Sequence, residues 1–154
     1  MAVPSVIKMK KGGVEYVSKC DRANYYINEL TRRALQDVGR FVLYKVSAKV
    51  RGISKYTKKM KYAPKRYQMW VRKKETDLIL GIENTRKGAN SAWWADQSEL
   101  GTNGQPKRGF LYETVKENID EIRKIEGQYL SAIEDENRAL GLIDEDEVQE
   151  EADG

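Results

Sequence analysis

The chain has 154 residues, of which 40% are hydrophobic and 34% charged, a mixture too apolar for a wholly disordered protein and too charged for a membrane protein. It contains one cysteine, Cys20, and no histidine, which excludes an internal disulfide, a cysteine-cluster zinc site and the Ser–His and Cys–His nucleophile pairs. No apolar run approaches the roughly 20 residues that span a bilayer, and the N-terminus lacks the apolar core of a secretory leader. We therefore expect no enzyme, no cofactor, no metal ion and no membrane partner.

The net charge of +4 conceals an uneven distribution along the chain. Residues 1–74 contain 20 lysines and arginines against 4 acidic residues, a net of +16, whereas residues 75–154 contain 8 against 20, a net of −12. The basic half favours an anionic partner, and nucleic acid is the first candidate. The acidic half is either a second partner surface or a match for the basic half of a neighbouring copy. The alternative is that both halves are solvated faces without a ligand.

The first 20 residues predict a β-hairpin arm followed by a long helix. Apolar residues in segments 6–10 and 14–17 flank Lys11-Gly12-Gly13, and the two glycines supply the positive φ angles of a tight turn. A helix is then predicted over residues 24–51, with Asp21 or Asn24 as its N-cap and Gly52 just past its end.

That helix has two distinct faces. Its predicted apolar face contains Ile27, Leu30, Ala34, Val38, Phe41 or Val42, Val46, Val50 and Ile53, which recur at intervals of three and four. The opposite, basic face contains Arg32, Arg33, Arg40, Lys45 and Lys49. Gly39 weakens the helix, and we expect it to let another element approach closely.

The centre of the chain predicts two or three strands. Residues 66–72 and 78–83 are strand-like, and Leu78, Leu80 and Ile82 share one face of the second strand. Residues 91–97 are either a third strand or a short helix, because periodicity does not decide between them. Residues 54–65 are predicted to form a basic loop, and residues 101–109 a loop rich in glycine and proline.

A second long helix is predicted to begin near Phe110. Its apolar face contains Leu111, Val115, Ile119, Ile122, Ile125, Tyr129 and Ile133. The expected fold is α+β, with the long N-terminal helix and this C-terminal helix packed on a small antiparallel sheet, an N-terminal β-hairpin and an acidic C-terminal tail. We divide the chain into one domain over residues 1–142, with the arm at 1–20, and an acidic, disordered tail over residues 143–154.

Few groups of residues offer chemistry. The carboxylates of residues 144–147 fall in the predicted tail, and the glycine-rich segments 11–13 and 101–104 lack phosphate-loop spacing. Cys20, beside basic neighbours, is better explained as a plain structural thiol than as a reactive one. Residues 55–70 combine Lys and Arg with Tyr56, Tyr62, Tyr67 and Trp70. They are either a nucleic-acid-binding surface or a solvated loop leading into a strand whose aromatic residues face the core.

The pair Trp93-Trp94 is unusual. In a strand, adjacent residues face opposite sides, so at most one of the two tryptophans enters a two-layer core directly. The other meets either a partner or a covering loop. Tryptophan is enriched at protein interfaces, although an arrangement of core and cover explains the pair equally well.

One run of residues carries a resemblance to a known family. Residues 94–102 (WADQSELGT) are followed, after a short polar loop that includes Pro106, by residues 108–111 (RGFL) and a long amphipathic helix. This order resembles the minor neck proteins of long-tailed bacteriophages, the tail-completion or head–tail joining family. Its members show an aromatic-Ala…Glu-apolar-Gly-Thr run, a variable loop and then Arg-Pro-Phe-Leu. This chain has Gly109 in place of the usual proline, and it lacks the family's Ala-Pro-x-x-Thr-Gly-x-Leu segment.

The run also has a physical interpretation that needs no catalytic step. We expect Glu99 to end a strand, Gly101 to permit a sharp turn, and Thr102 to bond backbone amides within it. The structural anchors are then Gly109, Phe110 and Leu111, with the last two holding the final helix on the sheet. The residues expected to bind partners are Trp93, Trp94, Glu99, Leu100, Gly101, Thr102 and Arg108.

The resemblance implies a structural protein of the virion neck. Copies of the chain would form a ring, expected to be sixfold, that completes the tail and joins it to the head. Its partners would be itself, the head-connector or stopper protein, and the tail-tube or tail-terminator protein, with genome DNA passing through the ring. It would be assembled in the host cytoplasm and located in the virion. The alternative function is a nucleic-acid-binding regulatory protein that uses the basic N-terminal half.

Overall fold

The computed structural model describes residues 3–54, 63–72, 76–83, 89–102, 106–135 and 137–143. Its elements are β1 (Ile7–Lys11), β2 (Val14–Ser18), α1 (Cys20–Ser54), β3 (Tyr67–Val71), β4 (Leu78–Ile82), α2 (Ala89–Leu100), α3 (Phe110–Glu117) and α4 (Ile119–Ala132). A 3-10 turn, Ala63–Arg66, precedes β3, and residues 137–143 are helical. The predicted α+β class, N-terminal hairpin and long N-terminal helix are confirmed. The chain divides into two compact units, residues 1–34 with 126–154 and residues 35–125.

In the first unit, β1 and β2 form the predicted hairpin arm. The strands pair antiparallel from Ile7 opposite Ser18 to Lys11 opposite Val14. Gly12 and Gly13 connect them with φ angles of 59° and 82°, as a two-residue type I′ turn requires. Every residue of the two strands is exposed except Ser18, which is partly exposed.

The interior of the first unit is formed by helical residues near both ends of the chain. Its buried side chains include Tyr26, Leu30, Arg33, Ala34, Tyr129, Ala132, Ala139 and Ile143. Two details correct the predicted faces of the first helix: Arg33, assigned to the basic face, is 1% exposed, and Ile27, assigned to the apolar face, is 43% exposed. Ile143, assigned to the tail, is helical and buried, and residues 144–154 lie outside the described residues.

The bounds of α1 differ from the predicted ones at both ends. The helix begins at Cys20, so Asp21 lies in its first turn, where a carboxylate also stabilises the positive end of the helix dipole. Gly52 lies inside the helix, which continues to Ser54. Its φ angle is not positive, so nothing in its backbone forces the helix to end there.

In the second unit, β3 and β4 form a separate two-stranded antiparallel sheet with Tyr67 opposite Ile82 and Val71 opposite Leu78. Leu78, Leu80 and Ile82 pack against the core, which confirms the predicted inner face. This pair is the small antiparallel sheet predicted beside the hairpin arm, and the described strands form these two separate pairs.

The core of the second unit is built on a stripe of valines from α1. Val42, Val46 and Val50 are fully buried. The buried residues packed with them are Val38, Tyr67, Trp94, Ala95 and Phe110. An ion pair between Lys49 and Glu117 joins the exposed flank of α1 to the end of α3.

The segment left open between strand and helix is the helix α2. Its buried positions include Ala92, Ala95 and Ser98, which recur every three residues and present small side chains to the core. This spacing matches one helical face, and small residues let the helix backbone approach its neighbours closely. Packing against the rest of the unit therefore decides whether this segment is a helix or a strand, which local periodicity leaves open.

The predicted second helix begins at Phe110 as expected but is divided at Asn118. The side-chain Nδ2 of Asn118 donates to the carbonyl of Thr114 at 2.8 Å, competing with the regular helical ladder. The backbone at Asn118 leaves helical geometry (φ −114°, ψ 21°), and α4 starts at the next residue. The predicted apolar face is accordingly only partly covered: Val115, Ile119 and Ile133 are 37%, 45% and 38% exposed.

Among the residues that the structure describes, no helix combines the length and hydrophobicity that crossing a membrane requires.

Gly39 is where β3 and β4 approach α1 most closely, as its place in the sequence suggested. A Cβ atom at residue 39 would lie 2.5 Å from Sδ of Met69 and 3.0 Å from Cδ1 of Leu78. We expect Gly39→Leu to lower the free energy of unfolding by about 1–3 kcal/mol through overpacking. Gly127→Leu is the matched control, because a Cβ on this other helical glycine meets no atom within 4 Å. The control should gain up to about 1 kcal/mol from helix propensity. Urea unfolding of both variants would contradict the close approach if Gly39→Leu were the more stable.

Candidate functional site

Residues 98–102 and 106–111 form a junction between the end of α2 and the start of α3, which we call the α2–α3 clasp. The backbone turns sharply at Gly101, whose φ is +79°, and a Cβ there would lie 2.9 Å from the backbone nitrogen of Lys107. Only glycine fits such a left-handed residue against another backbone. The carbonyl of Ser98 accepts hydrogen bonds from the backbone N–H of Arg108 at 2.8 Å and of Gly109 at 3.3 Å. The returning chain is thereby fixed against the last turn of α2.

The carboxylate of Glu99 completes the clasp. Its Oε1 accepts a hydrogen bond from the backbone N–H of Leu111 at 3.0 Å and from the Tyr67 hydroxyl at 3.3 Å. Leu111 is in the first turn of α3, where N–H groups have no helical partner and negative charge is favoured. The N-cap residue, Gly109, has no side chain for this task and is left-handed, with φ 54°. Glu99 therefore caps α3 from a different helix.

Burial and hydrogen bonding act in opposite directions on Glu99. Burial raises the pKa of its carboxyl above the ordinary value, and hydrogen bonds from Leu111, Tyr67 and Phe110, with the charge of Lys107, lower it only in part. Burial, followed by the charge and hydrogen bond of Glu99, also raises the pKa of the Tyr67 hydroxyl, so the phenol keeps its proton. A proton-bearing Tyr67 is a permanent donor to the carboxylate, which suits a structural contact.

The residues expected to bind partners do not share one environment. Trp94 is 6% exposed and belongs to the core, whereas Trp93 beside it is 60% exposed. The pair does split between inside and outside, but on a helix rather than a strand. Leu100 is 69% exposed, and Thr102 and Arg108 are also exposed.

The remaining residues of the run lie inside the clasp. Glu99 is in the last turn of a helix, so the expectation that it ends a strand is wrong. Gly101 makes the sharp turn expected of it. Among the expected anchors, Gly109 is the N-cap of α3, Phe110 is 7% exposed, and Leu111 packs partly buried against the core.

Sequence reasoning missed the partner of Glu99. Tyr67 was grouped with the basic and aromatic residues 55–70, yet it is 3% exposed and cannot stack on a base. Of the other aromatic residues in that group, Trp70 is 46% exposed, and Tyr56 and Tyr62 lie outside the described residues. No local signal pairs Tyr67 with a glutamate 32 positions away; only the fold does so.

In the described part of the chain, no three residues among His, Cys, Asp and Glu cluster closely enough to hold a metal ion. Cys20, which the sequence assigned a plain structural role, is exposed at the start of α1. The polar groups of the clasp bind one another and orient two helices, and the exposed side chains beside it are available for contact with another molecule.

Comparison with protein-family models, with curated protein sequences and with solved structures finds no match to this chain. Its function is therefore inferred from its own residues.

Removing the Glu99 side chain should weaken the clasp. In Glu99→Ala, the N–H of Leu111 and the hydroxyl of Tyr67 lose their acceptor, a loss that costs about 1–3 kcal/mol for buried groups. Glu99→Gln is the matched control, since its amide oxygen can accept both hydrogen bonds. In urea unfolding at neutral pH, the free energy of unfolding of Glu99→Ala should be well below that of both the wild type and Glu99→Gln. Equal stability of all three proteins would show that the cap contributes nothing.

The raised pKa of Glu99 also predicts how the wild type and Glu99→Gln differ with pH. A carboxyl with a folded-state pKa above the unfolded one stabilises the fold most when it is protonated, below the ordinary value of 4.5. That contribution is lost as the pH rises through the folded-state pKa. The wild type should therefore gain stability relative to Glu99→Gln between neutral pH and pH 4 in urea unfolding. A relative loss over that range would mean that the carboxylate is stabilised by folding.

Proposed function

We propose that the chain is a structural protein of the bacteriophage neck, one subunit of a ring that completes the tail and joins it to the head connector. The proposal starts from the resemblance of residues 94–102 and 108–111 to the tail-completion family. The order of a long helix, a strand pair and a final helical segment agrees with what that resemblance implies.

One observation carries the proposal beyond resemblance: the resembling run folds into a single structural junction. Glu99 holds the start of α3 through Leu111, and Gly101 places the returning chain against Lys107. These structural roles account for Glu99, Gly101 and the apolar pair Phe110-Leu111 at their positions, and none of the roles requires a chemical reaction. They support an assembly protein in which the clasp positions a contact surface.

The contact surface that we propose is the outer face of α2. Trp93 and Leu100 are seven positions apart, which places both on one side of the helix, and both are more than half exposed. Asp96 lies between them on the same side and is also exposed. A large aromatic residue surrounded by polar groups is the usual centre of a strong protein contact. In the neck, this face would meet an adjacent subunit or the protein above or below the ring.

The alternative is binding of nucleic acid by the basic half of the chain. It is favoured by exposed basic residues on the arm and on α1, among them Lys8, Lys10 and Arg40. It is weakened by the burial of Tyr67, which removes one of the four aromatic residues proposed for stacking. Binding of this kind would be strongly salt-dependent in the isolated protein.

The test of the proposed function is genetic and visual. Deleting the gene from a phage or prophage that carries it should yield heads and tails that fail to join, or tails that end incorrectly, in negative-stain images. The protein should also be present in purified virions of the parent phage. Normal infectious particles from the deletion, or absence of the protein from virions, would overturn the assembly role and favour the nucleic-acid alternative.

A point variant separates the contact surface from the fold. Trp93→Ala should reduce the yield of joined particles by about tenfold or more, as loss of a central interface tryptophan commonly does, with an unchanged melting temperature. Tyr44→Ala is the matched control, because Tyr44 is an aromatic residue that is 73% exposed on α1 of the same unit. Equal yields from the two variants would exclude Trp93 as a contact residue.

A further inference from the structure

The hairpin arm has an apolar face that no part of the chain covers among the residues that the structure describes. Opposite and alternate residues of a hairpin share a face, and the register places Ile7, Met9, Val14 and Tyr16 together. These side chains are 47%, 58%, 70% and 56% exposed. A two-stranded hairpin alone is at best marginally stable in water, so a surface of this kind gains most when another surface covers it.

The charge of the arm restricts what can cover it. Lys11 lies on the apolar face at the turn, and Lys8 and Lys10 lie on the other face. Glu15 is the one acidic residue between Ile7 and Ser18. A fitting partner is therefore an exposed apolar surface with an acidic border.

The end of α4 provides such a surface, which we call the acidic patch: Glu126, Leu130, Ile133, Glu134 and Asp135. Leu130 is 65% and Ile133 38% exposed. Glu126 and Leu130 are four residues apart on α4 and therefore lie on one side of the helix, and Ile133 and Glu134 follow in the turn after its end. No lysine or arginine occurs in the sequence from residue 125 to residue 137. The side chains of the arm and of the acidic patch are thus complementary in hydrophobicity and charge, while the basic Lys19 and Arg22 lie on the other wall of the adjoining cleft.

A cleft borders the acidic patch. Its volume is about 180 Å³, and it is lined by Ile133 and Glu134 together with Lys19, Arg22, Ala23, Tyr26 and Ile27. Small-molecule sites usually measure roughly 300–1,000 Å³, so this cleft suits a single side chain better than a cofactor. Met9 and Tyr16, which lie opposite each other at the centre of the arm's apolar face, are the side chains best placed to enter it.

We propose that the arm of one copy of this chain docks on the acidic patch of a second copy. The two complementary surfaces belong to the same unit of the chain, yet both are exposed in the monomer, so neither satisfies the other within one chain. One residue, Lys19, separates β2 from α1 and also lines the cleft. The arm therefore leaves from the rim of the cleft, and this short connection disfavours folding back over it. A contact of the arm of one copy with the patch of the next is heterologous, and such contacts form a ring when the rotation closes.

This inference goes beyond the proposed function and does not rest on it. It concerns how copies of the chain bind one another, and it is tested on the purified protein. Either proposal can therefore fail while the other stands.

The experiment uses charge reversal and mixing. The arm variant is Lys8→Glu/Lys11→Glu. It changes the net charge of the arm from positive to negative and leaves the Lys10–Glu15 cross-strand pair in place. In the patch variant, Glu126→Lys/Glu134→Lys, the border becomes basic. Sedimentation velocity of the full chain should show concentration-dependent association of the wild type at low salt. Each variant alone should remain monomeric, and an equimolar mixture should associate again, because reversed arm meets reversed patch and native arm meets native patch.

Four further outcomes decide the inference. Tyr16→Glu should weaken association of the wild type at least about tenfold, as loss of a central interface aromatic does. Lys116→Glu, an exposed change on α3, should leave it unchanged. A wild type that stays monomeric up to about 200 μM, where a dimer of micromolar affinity would be populated, overturns the proposal. So does a mixture of the two charge variants that stays monomeric, because any association of the wild type would then use other surfaces.

Discussion

The carboxylate of Glu99 lies where three elements of the second unit meet. It belongs to α2, accepts the hydroxyl of Tyr67 from β3, and accepts the first free N–H groups of α3. A partly buried charge is costly, and here that cost is offset by several donors and by the positive end of a helix. Without this contact, the start of α3 would rely on Gly109, which has no side chain to cap it. This side chain and the backbone hydrogen bonds to the carbonyl of Ser98 together fix the junction between α2 and α3.

Local sequence patterns predict most of the secondary structure, whereas contacts between residues distant in the sequence cannot be predicted from such patterns. The hairpin, α1 and the strand pair follow from turn glycines and from periodicities of two and three to four residues. The helical state of α2 does not follow from such patterns, because the pair Trp93-Trp94 fits both a strand and a helix. Only the packing of the core shows that Trp94 is buried and Trp93 exposed. The Glu99–Tyr67 contact was also unpredictable, since the sequence at Tyr67 resembles any basic, aromatic strand. The burial of Arg33 on a nominally basic helix face has the same origin in tertiary packing.

The exposed apolar surfaces lie among charged side chains, which affects the association that we propose. The face of α2 with Trp93 and Leu100, and the arm with Met9 and Tyr16, are each bordered by charged side chains. Charged borders oppose nonspecific aggregation while they select partners of opposite sign. The basic arm belongs to the basic half of the sequence, and the acidic patch at the end of α4 belongs to the acidic half. The uneven charge of the sequence is thus present in the two surfaces that we propose to meet.

Small contact surfaces suit a closed assembly better than a permanent dimer. An arm with four apolar side chains covers little area, and one such contact by itself is expected to be weak. In a ring every copy both gives and receives the same contact, and the last contact closes within one particle rather than between free molecules. Closure raises the effective concentration for that step, so that contacts that join two free copies only at high concentration can stabilise a complete ring. In the neck role that we propose, copies with these surfaces would associate reversibly in solution and form a stable ring once a connector or a tail end aligns several of them.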